Sequence, residues 1–287
     1  MRAIVGYAAA VSALPYLGLK LLWLSGSDAG ITDPAFAEDG GIYALNLLTA
    51  GMDVVAIVLA VTFASRRGMR APAPLVLFPI WVGTGFLAPI VVATPLAATT
   101  SGDSAGASTL PLAGWVIPLV YGSFVGLGVL LLTAFLLYAR ERWSGRLTTV
   151  PRGPVAALLG SALALFVAVV HGVWIIREDG GDVVWAVHGA FALIGVVGVW
   201  WLRRGVRWLP LMAAWAGSGA LFAWGAWNSL NTLGGTVLVM GEPSTLGVAR
   251  ALAQVLGGTV LAYASARVVT VSPSSVARDR PGARECS

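Results

Sequence analysis

The sequence predicts an all-α fold: a polytopic membrane bundle of eight transmembrane helices, built from two four-span units with both termini cytoplasmic. Three observations predict it. The 287 residues are 57% hydrophobic and only 11% charged, with a mean hydropathy of +0.83, whereas soluble domains carry about 25% charged residues. The apolar residues fall into eight runs, each close to the roughly 20 residues that a helix needs to cross a bilayer. Finally, Trp81-Val-Gly83-Thr84-Gly85-Phe-Leu87 recurs 134 residues later as Trp215-Ala-Gly217-Ser218-Gly219-Ala-Leu221.

The runs lie at about 3–24, 42–64, 74–98, 113–138, 154–176, 183–202, 208–229 and 246–269. They are expected to be helical because backbone polar groups in lipid must be satisfied within the segment. The first run is read as a span, since it is too long for a cleaved signal and no small-residue cleavage site follows. Fifteen of the 18 basic residues fall on one side: Arg2, Arg66, Arg67, Arg70, Arg140, Arg142, Arg146, Arg152, Arg203, Arg204, Arg207, Arg267, Arg278, Arg280 and Arg284. Asp28, Asp33, Glu38, Asp39, Asp103, Glu178, Asp179, Asp182 and Glu242 fall on the other. The positive-inside rule then places both termini in the cytoplasm of a bacterial cytoplasmic (inner) membrane protein. The net charge of +5 is spread over every inner loop, so the expected partner is the lipid bilayer and not nucleic acid. One Lys against seventeen Arg reads as the codon usage of a GC-rich bacterium such as an actinobacterium. Cys286, the lone cysteine, excludes an internal disulfide.

The units divide as 1–150 and 151–270, followed by a Ser/Pro/Arg-rich tail at 271–287 that is expected to be disordered. Equal span counts make the repeats parallel, related by an axis along the membrane normal. Span 1 matches span 5 through Lys20-Leu-Leu-Trp23 and His171-Gly-Val-Trp174, and spans 2 and 6 pair Asn46 with His188. Spans 4 and 8 share only Ala139-Arg140 and Ala266-Arg267. The repeated glycines have a packing role of their own, since small residues let membrane helices approach closely. Asp53 has no counterpart, because Gly195 occupies the aligned place.

Ionisable residues within the spans are few: Lys20, Asp53, His171, His188 and Arg250. With Asn46, Asn228 and nearby Glu242 they concentrate in the outer half. Asp53 lies deepest, roughly 16 Å along its span at 1.5 Å per residue. A midplane carboxylate must be paired or protonated. Asp53 is therefore expected as a neutral acid, with Thr49 one turn away as its local hydrogen-bond partner. Two readings stand for the others. Lys20 and Arg250 suit snorkelling to headgroups, and the two histidines suit neutral imidazoles bonded to a carbonyl. Alternatively, they form a site. Most of the 12 Trp residues sit near span ends, where an aromatic belt is expected. The candidate catalytic set is Asp53, Lys20, His171 and His188. The candidate substrate-binding set is Trp23, Asn46, Trp174, Trp185, Trp224, Trp227, Asn228, Glu242 and Arg250.

Several function classes are excluded by absent signatures. There is no G-x-x-x-x-G-K-[ST], zinc-ligand spacing, H-E-x-x-H or G-x-S-x-G. The only Lys is in span 1, which does not suit a retinal Schiff base, and no filter or charged ring marks a channel. The expectation is a membrane enzyme, a cyclase or isomerase using acid–base chemistry on a lipophilic, isoprenoid-like substrate, with no cofactor and no metal. Asp53 would protonate an alkene or epoxide, aromatic faces would stabilise the cation, and a His or Lys would remove a proton. In general plan the chain resembles the small integral-membrane terpene cyclases of bacterial and fungal meroterpenoid pathways, in size, span number and residue chemistry; no catalytic residue follows from that. The His171-x-x-Trp174 and Lys20-x-x-Trp23 span ends are similar to those of uncharacterised four-span actinobacterial membrane proteins, which implies two such units fused over about 3–269, with Lys20 departing from the pattern. A haem-binding redox protein ligated by His171 and His188, and a small-molecule transporter or binder built on parallel repeats, are the alternatives.

Overall fold

The computed structural model describes residues 1–100, 110–150, 152–177, 183–234 and 244–271. Eight long helices dominate it: α1 (Arg2–Leu24), α3 (Gly40–Ala64), α4 (Ala73–Thr100), α5 (Val116–Trp143), α6 (Val155–Arg177), α7 (Val183–Leu202), α8 (Trp208–Gly234) and α9 (Thr245–Val268). Each overlaps an expected apolar run and starts or ends within a few residues of it. Seven of them are long and apolar enough to cross a membrane. The exception, α8, is 27 residues long but is diluted by Trp, Gly, Ser and Asn. The polypeptide is thus a helical membrane bundle. The exposed side chains agree: Val11, Leu14, Val58, Leu159, Val169 and Leu256 all point outward. So large an apolar exterior is unfavourable in water and is what lipid requires.

Four short elements were not expected: α2 (Pro34–Ala37), a 3-10 turn at Arg67–Arg70, and an antiparallel pair of β1 (Leu147–Thr149) with β2 (Val269–Val271). They organise the two ends of the bundle. At the end bearing the chain terminus Met1, Arg2 pairs with Glu141 at 2.9 Å and donates to the carbonyl of Phe63. Arg142 donates to the Ala71 carbonyl at 2.8 Å, and Arg203 to the Arg152 carbonyl at 2.7 Å. The arginines gathered there are partly consumed in tying loops to helix ends. The opposite, distal end is closed by an Ile31–Leu112 bridge, with the Thr32 amide donating to the Pro111 carbonyl at 2.9 Å. The expected disordered tail falls almost wholly outside the described residues, as do Asp103, Glu178, Asp179 and Asp182.

Two apolar cores form. The first joins α1, α3, α4 and α5 around Ala9, Phe63, Ile80, Leu131, Phe135 and Tyr138. The second joins α6, α7, α8 and α9 around Val167, Ala192, Val199, Ala214, Leu221 and Leu261. They meet along α4 and α8, where the repeated segments face each other. The Trp81 indole donates to Ser218 Oγ at 3.1 Å, and the Trp215 indole donates to Thr84 Oγ1 at 3.2 Å. The exchange is reciprocal: each copy's Trp bonds the hydroxyl of the other copy. It works only at very short helix separation. A Cβ on Gly85 would overlap the Gly219 carbonyl, and one on Gly219 would lie 2.8 Å from the Trp81 carbonyl. Small residues thus set the spacing that lets the two indoles reach across.

A second glycine seam closes α7 on α8, where Gly195 meets Gly217 and Gly198 meets Ala214. The seam between α3 and α4 in the first core, by contrast, is open. Asp53 and Gly83 both line this opening, and a Cβ on Gly83 would meet nothing within 4 Å. Two glycines of α4 only two positions apart therefore predict opposite outcomes. Gly85→Ala should lower stability by roughly 1–3 kcal/mol, the usual cost of overpacking. Gly83→Ala should be neutral or raise it by up to about 1 kcal/mol through helix propensity. Thermal unfolding of both variants in detergent checks the pair.

Candidate functional site

The open seam leads into a cavity of about 1330 Å³ that runs from the distal end of the bundle past its middle. That exceeds the roughly 300–1,000 Å³ of ordinary small-molecule pockets. It reaches from α1 and α3 across α4 and α5 to α7, α8 and α9, so both cores contribute walls. Most of the lining is aliphatic or aromatic. Polar side chains gather in two places.

The first is an ion pair. Lys20 Nζ lies 2.8 Å from Asp53 Oδ2, with the lysine fully buried and Asp53 only 5% exposed. Nζ also sits 3.8 Å from the centre of the Tyr16 ring and 6.0 Å from that of Phe124, a cation–π arrangement that offsets part of the lost hydration. Two expectations are corrected here. Lys20 does not snorkel, because Asp53 draws it down into the bundle. Asp53 is not an isolated acid leaning on Thr49, since Thr49 Oγ1 donates to the Leu45 carbonyl at 2.8 Å. The second carboxylate oxygen, Oδ1, makes no hydrogen bond among the described residues, and Asp53 is part of the cavity wall.

The second polar group surrounds Arg250. This residue is 6% exposed and lines the cavity, so it too is not snorkelling. Its guanidinium donates to Gln254 Oε1 at 3.0 Å and lies 3.3 Å from His171 Nε2. Asn228 Nδ2 reaches the same Gln254 oxygen at 3.4 Å. The indoles of Trp174 and Trp185 flank the cation at 4.9 and 5.3 Å. His188 lies against Trp224 at 4.7 Å between ring centres, and Phe86 extends the aromatic wall to Trp224 and Trp227 at 5.7 and 6.3 Å.

Trp23, Asn46, Trp174, Trp185, Trp224, Trp227, Asn228, His188 and Arg250 all line the cavity together with Lys20 and Asp53. The Trp23 indole is fixed by the Ala29 carbonyl at 2.8 Å. His171 departs from the expected set. It is fully buried behind the wall, does not line the cavity, and holds Arg250 instead of facing a ligand. A haem shared by His171 and His188 would need both imidazoles facing one flat space, and His171 faces none. Glu242 lies outside the described residues. Tyr16, Phe86, Phe124 and Gln254 were not anticipated. Two of them were readable, since Tyr16 precedes Lys20 by one helical turn and Gln254 follows Arg250 by one. No family model, curated protein or solved structure matches the chain.

Breaking a buried ion pair leaves an uncompensated charge, at a cost of about 3–5 kcal/mol, whereas replacing both partners by apolar residues is often close to neutral. Lys20→Met and Asp53→Leu should therefore each lower the unfolding temperature in detergent, and the double variant should recover most of the loss. Additive losses in the double variant would refute the coupling.

Proposed function

We propose that the chain is a membrane-embedded enzyme that performs acid–base chemistry on a lipophilic, isoprenoid-like substrate entering the cavity from the bilayer. The Lys20–Asp53 pair on the wall of a large aromatic-lined cavity supports this reading above all. The two side chains form one proton-transfer unit. A proton moved along their hydrogen bond leaves neutral lysine and carboxylic acid. Asp53 then delivers it to an alkene or epoxide, becoming a carboxylate, and a substrate cation forms. The faces of Phe86, Trp224 and Trp227 stabilise that cation. Neutral Lys20 removes a proton elsewhere on the cation, which restores the ion pair and closes a cycle with no net redox change. The product is an isomer of the substrate, which is the chemistry of the membrane terpene cyclases that the chain resembles in plan.

The finer architecture belongs to the same proposal. We take α8 as the eighth span. It is enclosed by α4, α7 and α9, so it needs less lipid-facing hydropathy than the others. The two cores, built by α1, α3, α4, α5 and by α6 to α9 respectively, support a 4+4 duplication. The arginines gathered at the Met1 end support cytoplasmic termini in a bacterial cytoplasmic membrane. A transporter that rocks one unit against the other fits less well, because rocking would have to open the glycine contacts and paired indole bonds between α4 and α8.

The test is turnover by purified protein supplied with polyprenyl alkenes and epoxides in detergent, followed by mass spectrometry. The expected product has the substrate's mass and a new retention time. The Lys20→Met/Asp53→Leu variant should lose at least 10²-fold in rate, the lower range for general acid–base groups. Undiminished turnover by the folded double variant would overturn the mechanism.

A further inference from the structure

The charges on the cavity wall do not cancel. Lys20 and Asp53 neutralise each other at 2.8 Å. Arg250, the remaining charged side chain among the described lining residues, has only neutral partners in Gln254 and His171. No carboxylate among the described residues lies within ion-pair distance of it. An ionised side chain inside a membrane bundle is costly and is ordinarily paired. Two indole faces, at 4.9 and 5.3 Å from the guanidinium, supply part of the compensation. The surroundings are also short of hydrogen-bond partners: Arg250 Nε, His171 Nδ1 and Trp224 Nε1 are all buried without one among the described residues. A polar cluster left partly unsatisfied calls for an explanation.

The position of Arg250 points the same way. It lies one and a half turns into α9, whose first residues Ser244, Gly247 and Val248 also line the cavity. A helix N-terminus carries partial positive charge, which adds to that of the guanidinium. Asn228 and Asn231 stand on the facing end of α8 and line the same wall. The rest of the cavity is apolar and large enough for a long chain.

We propose that the cavity binds an amphiphile with an anionic oxygen headgroup, a carboxylate or a phosphate, which pairs with Arg250 while its hydrocarbon chain fills the apolar space toward Lys20 and Asp53. This deepens the proposed function and rests on it for the claim that the bound molecule is the substrate. The binding itself stands apart from any turnover. A headgroup held at Arg250 would fix which carbon of the chain meets the Asp53 carboxyl, so Arg250 is a positioning residue.

The experiment uses the full-length protein in detergent at pH 8 and three probes with the same dibrominated C18 chain, ending in an alcohol, a carboxylate or a phosphate. Bromine quenches indole fluorescence on contact, and Trp174, Trp185, Trp224 and Trp227 line the cavity. The two anions should bind at least tenfold more tightly than the alcohol. Arg250→Gln should bring all three within twofold, and Arg250→Lys should keep part of the preference. A carboxylate favoured over phosphate would identify a lipid acid, and the reverse a lipid phosphate; either supports the proposal. Equal binding of all three by the native protein would overturn it without any variant. So would a preference that survives Arg250→Gln, or one that emerges only in Glu242→Gln, which would mean that the chain supplies its own counter-charge. Anion preference in a protein with no turnover would leave this inference standing and remove the enzymatic one.

Discussion

The contact between α4 and α8 is the constraint on which the rest of the bundle depends. Helices in lipid gain little from burying apolar surface against each other, so close packing and interhelical hydrogen bonds must hold them. Here both act at one place. Gly85 and Gly219 remove the side chains that would keep the backbones apart. The reduced distance lets Trp81 reach Ser218 and Trp215 reach Thr84. Each indole then serves the core of its neighbour: Trp215 stacks on Phe135 of α5 at 5.5 Å, and Trp81 on Phe222 of α8 at 4.8 Å. The seam therefore joins the two cores and fixes how they are offset. Every cavity wall refers back to that offset.

The cavity follows from a difference between the two cores. In the second core α7 closes on α8 because Gly195 and Gly217 leave room for backbone contact. In the first core Asp53 of α3 lines the gap beside α4. A carboxylate does not fit a backbone-to-backbone seam, and it cannot be left unpaired in a medium without water. It needs a cation within reach and space for its own volume. Lys20 on α1 supplies the cation, and the separation of α3 from α4 supplies the space. The ion pair and the cavity are thus two consequences of the same acidic residue in the middle of a span. Removing only one member of the pair would damage stability and chemistry together, which is why the double replacement separates them.

Much of this was legible in the sequence because membrane insertion is a strong filter. Apolar runs placed the long helices to within a few residues, and the described arginines Arg2, Arg142 and Arg203 tie loops to helix ends at the Met1 end of the bundle. The polar side chains inside the spans proved to share one cavity, with His171 behind its wall. What the sequence did not disclose was partnership. Lys20 and Asp53 are 33 residues apart on different helices, and no local spacing relates them; the nearest local candidate, Thr49, prefers its own backbone. The reciprocal indole bonds were equally hidden, although both segments were recognised as copies. A repeated motif tells which residues resemble each other, and not that they touch. The glycines carried a packing meaning correctly, yet Gly83 and Gly85 were indistinguishable as letters. Only the rotation of α4 decides that one faces a cavity and the other a backbone.

Under the proposed function, the two polar groups of the cavity differ in a way that suits them to different work. Lys20 and Asp53 are mutually neutral, so their electrostatic cost is internal and constant whatever occupies the cavity. Arg250 is not neutralised by any described carboxylate, so its free energy depends on the occupant. An anion lowers it, and a neutral molecule of the same size does not. Affinity and selection therefore belong with Arg250, where a change of occupant changes the interaction energy. The proposed chemistry would belong with the pair, where a proton can shift between two groups held at hydrogen-bond distance without changing the net charge of the wall. His171 and Gln254 hold the guanidinium from behind and leave the indoles of Trp174 and Trp185 on its flanks. A side chain fixed in this manner gives little freedom to what it binds. In a cavity otherwise lined mostly by aliphatic and aromatic surface, that fixed and unneutralised charge is what would set the register of a long flexible chain against Asp53 under the proposed reading.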